Sequence, residues 1–358
     1  MSCTVVICCG SGGVGKTTIS AALAVKWALA GKRVAVLTID PARRLADSLS
    51  IGELSNAARA VPIEGAVDGG ALDAMMLDAK ATFDELVERL APSPAIAARI
   101  LGNRYYRVAS ERLGGSHEYM AMERLLRLAE SGVYDVVVLD TPPTRHALDF
   151  LKAPDRMAGL MDQGVLRWLV MPARKGGWRA LELGSEAITR VLKRLLGQGT
   201  IGEIAEFFDA FVSVGDGMRE RSMAVHALLR SPATHFLLVT TPAPTARSEA
   251  LHFLRLLVEK EMPFGGFLIN RFRTPPQHAL SPDDIPAALS DTARDALLRA
   301  HRIQSSQAAA HQRSVDDLLA AGPPAAGRWL IPDQGKDIHD LQGLAALGTT
   351  LPSPDALR

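Results

Sequence analysis

The chain has 358 residues, 47% of them hydrophobic and 22% charged, with a formal net charge of +1. That length can bury the core of one large α/β domain or of two smaller ones, and so small a charge gives no whole-molecule field toward nucleic acid or an anionic membrane. The three cysteines, Cys3, Cys8 and Cys9, crowd into the start of the chain, which is neither a disulfide framework nor a zinc pattern and points to a reduced, cytoplasmic setting.

Residues 4–9 (TVVICC) form a continuous apolar run without a basic leader, which predicts a buried strand rather than a signal peptide. A glycine-rich loop follows, and residues 17–30 then carry a helical pattern closed by Gly31. Residues 33–40 (RVAVLTID) read as a second buried strand, so the chain opens with a βαβ unit. Further strands are predicted at 71–78, 135–140, 235–240, 265–270 and 329–331. Strands alternating with helical patterns predict an α/β fold, a doubly wound and mostly parallel sheet with helices on both sides.

Two stretches break the rhythm. Residues 81–131 and 151–230 are helical in pattern, and each is too long for a simple crossover. The expected organisation is therefore a core beginning at 1–80, a helical insertion at 81–131, a return to the core at 132–150, a second insertion at 151–230 and the rest of the core at 231–358. The two insertions are expected to pack together as one α-helical subdomain. Within the last part, residues 280–327 are helical and rich in alanine and proline. No uninterrupted apolar run is long enough to span a bilayer.

Gly10, Ser11, Gly12, Gly13, Val14, Gly15, Lys16 and Thr17 satisfy the pattern G-x-x-x-x-G-K-[ST]. Glycines let successive backbone N–H groups turn inward and cradle phosphate oxygens, where a side chain would obstruct the approach. The helix that follows adds its positive N-terminal dipole. The pattern predicts ATP and Mg²⁺ as ligands, with Lys16 bridging the β- and γ-phosphates and the Thr17 hydroxyl coordinating magnesium. Its context, a strand before and a helix after, is the one the motif requires.

Asp40 and Asp140 each close a predicted strand, and ligands of an open parallel sheet lie beyond the carboxyl ends of its strands. Hydrolysis of a nucleotide needs carboxylates to manage the metal, directly or through water, and a group that orients the attacking water. Asp140 suits the metal role, and Asp40 or Asp47 suits the water role. A strand-terminal aspartate also serves as an ordinary helix cap, so the conjunction with the phosphate loop is what gives these residues their meaning.

At these residues the chain resembles a known family, the arsenite-pump ATPases and the related tail-anchored-protein-targeting ATPases, in the branch of phosphate-loop proteins that includes the septum-site and partitioning ATPases. The family's motifs are G-K-G-G-V-G-K-T-T, which residues 10–18 match except at Ser11 and which adds Thr18, then D-P-A-x-x-L-x-D, met at 40–47, and D-T-x-P-T-x-H, met at 140–146. The resemblance covers nearly the whole chain. It implies that Asn270 contacts adenine and that the segment at Pro332 closes over the base. It also implies hydrolysis of ATP to ADP and phosphate, with Asp47 orienting the water while Asp40 and Asp140 hold magnesium through its waters beside Thr17. The family works as a nucleotide-sandwich dimer whose switch loops couple the ATP state to a helical subdomain. In the targeting branch that subdomain forms an apolar groove for a transmembrane helix, so a hydrophobic or membrane-protein client is an implied partner and nucleic acid is not.

Three departures qualify the resemblance. The family's first loop lysine, which reaches across the dimer, is Ser11 here. A symmetric homodimer would lack that charge at the transition state, which implies slow hydrolysis, a heterodimer with a paralogue that keeps the lysine, or a nearly inactive regulatory subunit. Arg43, Arg44 and Arg145 are candidate replacements, or simply solvated arginines. No cysteine lies beyond Cys9, so the C-x-x-C that links targeting ATPases through zinc is absent. Cys8 and Cys9, adjacent on a strand, point to opposite faces and cannot converge with Cys3 on a metalloid, which disfavours arsenite transport and leaves core packing as their reading.

Met75, Met76, Met120, Met122, Met157, Met161, Met171, Met218 and Met223 concentrate in and around the insertions. They form either an adaptable apolar groove or ordinary core. A basic run over residues 167–194 surrounds the apolar 166–171 and suits a lipid surface, an acidic partner or a solvated helix face. A partitioning-type ATPase is a further alternative, disfavoured by the neutral charge and the long insertions.

Overall fold

The computed structural model describes residues 3–40, 42–104, 106, 116–143, 151–155, 159, 198–286, 288–324, 326–335 and 337–357. Among these residues eight strands make one sheet: β1 (Thr4–Cys9), β2 (Arg33–Thr38), β3 (Arg59–Val61), β4 (Ala71–Met76), β5 (Val136–Asp140), β6 (Thr234–Thr240), β7 (Phe264–Phe272) and β8 (Gly327–Pro332). The helices among the described residues include α1 (Lys16–Leu29), α2 (Arg44–Ser48), α3 (Ala79–Leu90), α4 (Pro94–Gly102), α5 (Ser116–Glu130), α6 (Gln198–Arg230), α7 (Pro244–Glu259), α8 (Asp291–Ala321) and α9 (Leu341–Gly348). The chain divides into two compact units. One comprises Met1–Met76, Ser131–Ala147 and Arg230–Arg358, and the other Leu77–Glu130 and Leu148–Leu229.

The first unit holds the sheet, in the order β3-β4-β2-β5-β1-β6-β7-β8. Every neighbouring pair is parallel except β3 with β4. β3 corrects the sequence reading, which has no strand there; three residues are too few to display a period. The central strands are buried along nearly their whole length, Val5 to Cys8 and Val137 to Leu139 among them, which is why they read as continuous apolar runs rather than alternating ones. The register sets Cys8 of β1 and Thr38 of β2 both opposite Asp140 of β5. Three carboxyl ends are thereby level at one edge of the sheet.

α1 is rich in alanine and buries Ile19, Leu23 and Trp27 completely. Each buried aliphatic side chain of this size contributes about 1.5–3 kcal/mol, and the Trp27 indole N–H is satisfied by the Pro352 carbonyl at 2.9 Å. The helix stops at Gly31, whose φ of 85° lets its amide and that of Lys32 return to the Ala28 and Trp27 carbonyls. Cys8 and Cys9 are buried free thiols, and burial pushes Cys8 up to about 12.

Among its described residues the second unit is helical. Asp78 caps α3 by accepting from the Ala81 amide, and Ser93 caps α4, whose first residue is Pro94. Its core gathers Phe83, Leu86, Val87, Ile100, Tyr106, Tyr119, Met120, Val214 and Met218, with the rings of Phe83 and Tyr106 stacked at 5.6 Å. Met120, Met122 and Met218 are wholly buried, as is Met75 on β4 of the first unit. Among the described methionines of the insertions only Met223 is exposed, at 54%, so core packing accounts for the others. Met157, Met161, Met171 and the basic run 167–194 lie outside the described residues. Among the described residues no helix is long and apolar enough to cross a membrane.

Candidate functional site

β1 delivers the chain into the glycine loop between the ends of its neighbours. A β-carbon on Gly10 would sit 2.1 Å from the Val239 carbonyl oxygen of β6, so only glycine fits that approach. Gly15, the residue before α1, has φ 91° and ψ 24°, a left-handed conformation. A β-carbon there would meet the Asn270 amide nitrogen at 2.5 Å. The loop is therefore fixed by the ends of β6 and β7 as well as by its own turns.

Lys16 folds back over the loop. Its ammonium donates to the Gly10 and Ser11 carbonyls, each at 2.8 Å, and the side chain is nearly buried. Burial lowers its pKa, and nearby Asp140 opposes the shift. The Ser11 hydroxyl is buried and makes no hydrogen bond among the described residues.

Asp140 is 1% exposed and is ringed by hydroxyl donors: Thr17 at 2.8 Å, Thr38 at 3.1 Å and Ser20 at 3.5 Å. Burial pushes its carboxyl up to about 6, against the lowering effects of Thr17, Lys16 and Thr38. The Thr17 proton is directed at Asp140, which leaves the oxygen's lone pairs available to a hard cation. Thr141 anchors the next turn, its hydroxyl donating to the Cys8 carbonyl at 2.8 Å.

Asp40 lies just past β2. One of its oxygens accepts from the Ala42 amide at 2.9 Å, and the other faces Arg44 at 3.5 Å. Asp47 is an exposed residue of α2. These groups border one cleft of about 420 Å³, which Gly12, Gly13, Gly15, Lys16, Thr17, Thr18, Asp40, Arg44 and Asp47 line together with Thr141 and Pro143. Its size and its amide, ammonium and hydroxyl lining suit a polyphosphate and a magnesium ion.

The adenine-side expectations fare differently. Asn270 reaches the loop, donating to the Val14 carbonyl at 2.8 Å, yet it does not line the cleft. Pro332 ends β8 opposite Phe272 and does not line it either; Asp337, Ile338 and His339 do. Arg43 is engaged with exposed Glu53 away from the cleft. Thr144, Arg145 and His146 lie outside the described residues.

Sequence reasoning missed Ser20, Thr38, Arg271 and residues 337–339. Ser20 was accessible in principle, since it stands three residues after Thr17 on the same helix face. The others are brought in by strand neighbours and a late loop, for which the sequence carries no local signal.

Comparison with known proteins gives one family match and three relatives. The sequence model of a family described as "Anion-transporting ATPase" matches residues 3–262. The chain is 32% identical over 149 residues to "ATPase GET3" of Malassezia globosa, covering 42% of each chain. It is also 32% identical over 179 residues to a "Putative arsenical pump-driving ATPase" of Halobacterium salinarum, covering 47% of this chain and 26% of the relative, and 26% identical over 284 residues to "ATPase GET3B" of Arabidopsis thaliana, covering 74% and 63%. The matched segments thus span less than two thirds of these relatives' own length.

Proposed function

Because the chain belongs to the anion-transporting ATPase family, we propose that it binds ATP with Mg²⁺ at residues 10–18 and hydrolyses it to ADP and phosphate. The observation that carries this reading is the pairing of two features on one cleft. Among the described residues Lys16 donates only to loop carbonyls, which a phosphate oxygen can replace, and Thr17 is oriented by buried Asp140.

In this mechanism the loop amides cradle the phosphates, and Lys16 leaves the Gly10 and Ser11 carbonyls to bond the β- and γ-oxygens. Thr17 would hold magnesium directly, with Asp140 and Asp40 accepting from its water ligands. Magnesium, when bound, neutralises charge on the β- and γ-phosphate oxygens. Asp47, on the exposed side of α2 and bordering the cleft, orients the attacking water. Loops that contact the γ-phosphate would then pass its loss to the helical unit.

One observation favours a slower variant of this activity. Ser11 offers a short, buried hydroxyl in place of a long cation, and Arg44, which does line the cleft, is occupied by Asp40. Turnover would then be weak for this chain alone and faster in a heterodimer with a lysine-bearing paralogue. A client-binding role for the helical unit is part of the proposal, although the described methionines, largely buried, lend it no support.

The test is calorimetric titration with Mg·ATP alongside phosphate release, for the wild type, for Lys16→Ala and for the wild type mixed with a lysine-bearing paralogue. Binding that Lys16→Ala abolishes is the expected result. Unchanged affinity in that variant would sink the cradle assignment.

A further inference from the structure

Three non-glycine residues among those described have a left-handed backbone: Ser50, Glu261 and Arg271, each at φ 54°. Two of them have an ordinary reason. Ser50 follows α2 and Glu261 follows α7, and in each case that amide and the next one return to carbonyls of the helix's last turn, the usual way a helix is closed. Arg271 has no helix to close.

It lies inside β7. There Ile269 pairs with Leu330 and Phe272 pairs with Pro332, so Asn270 and Arg271 together face Ile331 alone. That is a β-bulge, a device that re-aims a side chain out of the strand's alternation. Side-chain-bearing residues seldom occupy this backbone region, and its occupants cluster where a ligand is clamped. Asn270 holds the bulge in place, accepting from the Arg271 amide at 2.9 Å while donating to the Val14 carbonyl at 2.8 Å. One side chain thereby fixes Arg271 to the phosphate loop.

Arg271 is exposed, lines the cleft with Gly15, Lys16 and Thr17, and makes no ion pair among the described residues. Arg43 and Arg44 are both engaged with carboxylates. We propose that Arg271 contacts the phosphates of the bound nucleotide from the β7 side, supplying within one chain a cation that Ser11 does not. The inference rests on the nucleotide-binding reading above and adds a binding residue to it. A guanidinium is well matched to phosphate oxygens, which it can meet with two donors at once.

The experiment is calorimetry with Mg·ADP at two ionic strengths on the wild type, Arg271→Gln, Arg271→Gly and Lys16→Ala. Glycine adopts the left-handed backbone without strain, so Arg271→Gly keeps the bulge while removing the cation. It is expected to melt at or above the wild-type temperature and to bind Mg·ADP roughly 10- to 100-fold more weakly. Both variants should also show a shallower dependence of affinity on salt. Wild-type affinity in Arg271→Gly would overturn the proposal, as would weaker binding with an unchanged salt dependence. Binding abolished by Lys16→Ala but untouched at Arg271 would sink this inference alone, whereas a wild type that binds no Mg·ADP would sink the nucleotide reading with it.

Discussion

Thr17 and Asp140 stand 123 positions apart in the chain, yet the Thr17 hydroxyl donates to the Asp140 carboxylate at 2.8 Å. One residue opens α1 and the other closes β5, and the parallel pairing of β1 with β5 brings them together. The bond fixes where the hydroxyl's lone pairs point. It also places a carboxylate in a wholly buried position, which has a measurable cost.

That cost should appear as a pH dependence of stability in chelator-containing buffer. Burial raises the Asp140 carboxyl from its ordinary 3.8 to about 6 in the folded chain. Below about pH 4 the group is protonated whether the chain is folded or not. Between about 4 and 6 the unfolded chain gives up a proton that the folded chain keeps, so this group's contribution to stability declines as pH rises. Asp140→Asn removes that decline. The variant should gain on the wild type across this window, with a difference on the order of 3 kcal/mol above pH 7. Urea denaturation of both proteins at pH 4.5, 6 and 7.5 reads it, and a difference that ignores pH would count against the assignment.

The loop glycines make separable demands. A β-carbon at Gly10 would lie 2.1 Å from a backbone oxygen, and one at Gly15 would meet Asn270 at 2.5 Å from a left-handed backbone, whereas at Gly12 the nearest atoms among the described residues are those of Pro143 at 3.9 Å. Gly10→Ala and Gly15→Ala should each destabilise by about 1–3 kcal/mol. Gly12→Ala should leave the melting temperature of the nucleotide-free protein near the wild-type value. Similar losses in all three variants would show that steric approach does not set the loop.

What the sequence made legible follows from physical range. The phosphate loop could be read because its demands are local: glycines where side chains cannot fit, and Lys16 and Thr17 at fixed offsets. The parallel strands could be read because burial on both faces writes itself as runs such as residues 4–9 and 135–140. β3 could not, since its three residues are a strand only because β4 pairs with them. Arg271 was hidden too, because nothing in its type announces a left-handed backbone. Residues 337–339 reach the cleft through tertiary contacts, among them the Ser50 hydroxyl on the His339 carbonyl at 2.9 Å.

In the helical unit a large single-residue effect should come from Glu123. Its side chain is 0% exposed and accepts a hydrogen bond from Arg221 Nε at 3.0 Å, with a terminal nitrogen of Arg221 in ion-pair range at 2.9 Å and Arg89 at 3.6 Å. Removing one member of such a group strands the others in a poorly hydrated site, so Glu123→Ala should cost about 3–5 kcal/mol. Glu130, half exposed on the same Arg221, is the control, and Glu130→Ala should cost under about 1 kcal/mol. Thermal denaturation that ranks the two alike would place the stability of this unit elsewhere.

Asp40 and Asp47 border the same cleft but are held differently, and this separates their roles. Asp40 accepts from the Ala42 amide and faces Arg44, whereas the Asp47 side chain makes no hydrogen bond or ion pair among the described residues. A group that orients a water must keep its oxygens free until the ligand arrives. Asp47→Asn should therefore melt with the wild type and bind Mg·ATP within about 3-fold of it, while phosphate release falls by roughly 100-fold or more. Asp40→Ala should instead lose about 1 kcal/mol of stability before any ligand is added, because an amide and a guanidinium lose their acceptor. Normal turnover in Asp47→Asn, measured as phosphate released at saturating Mg·ATP, would transfer the water-orienting role to Asp40.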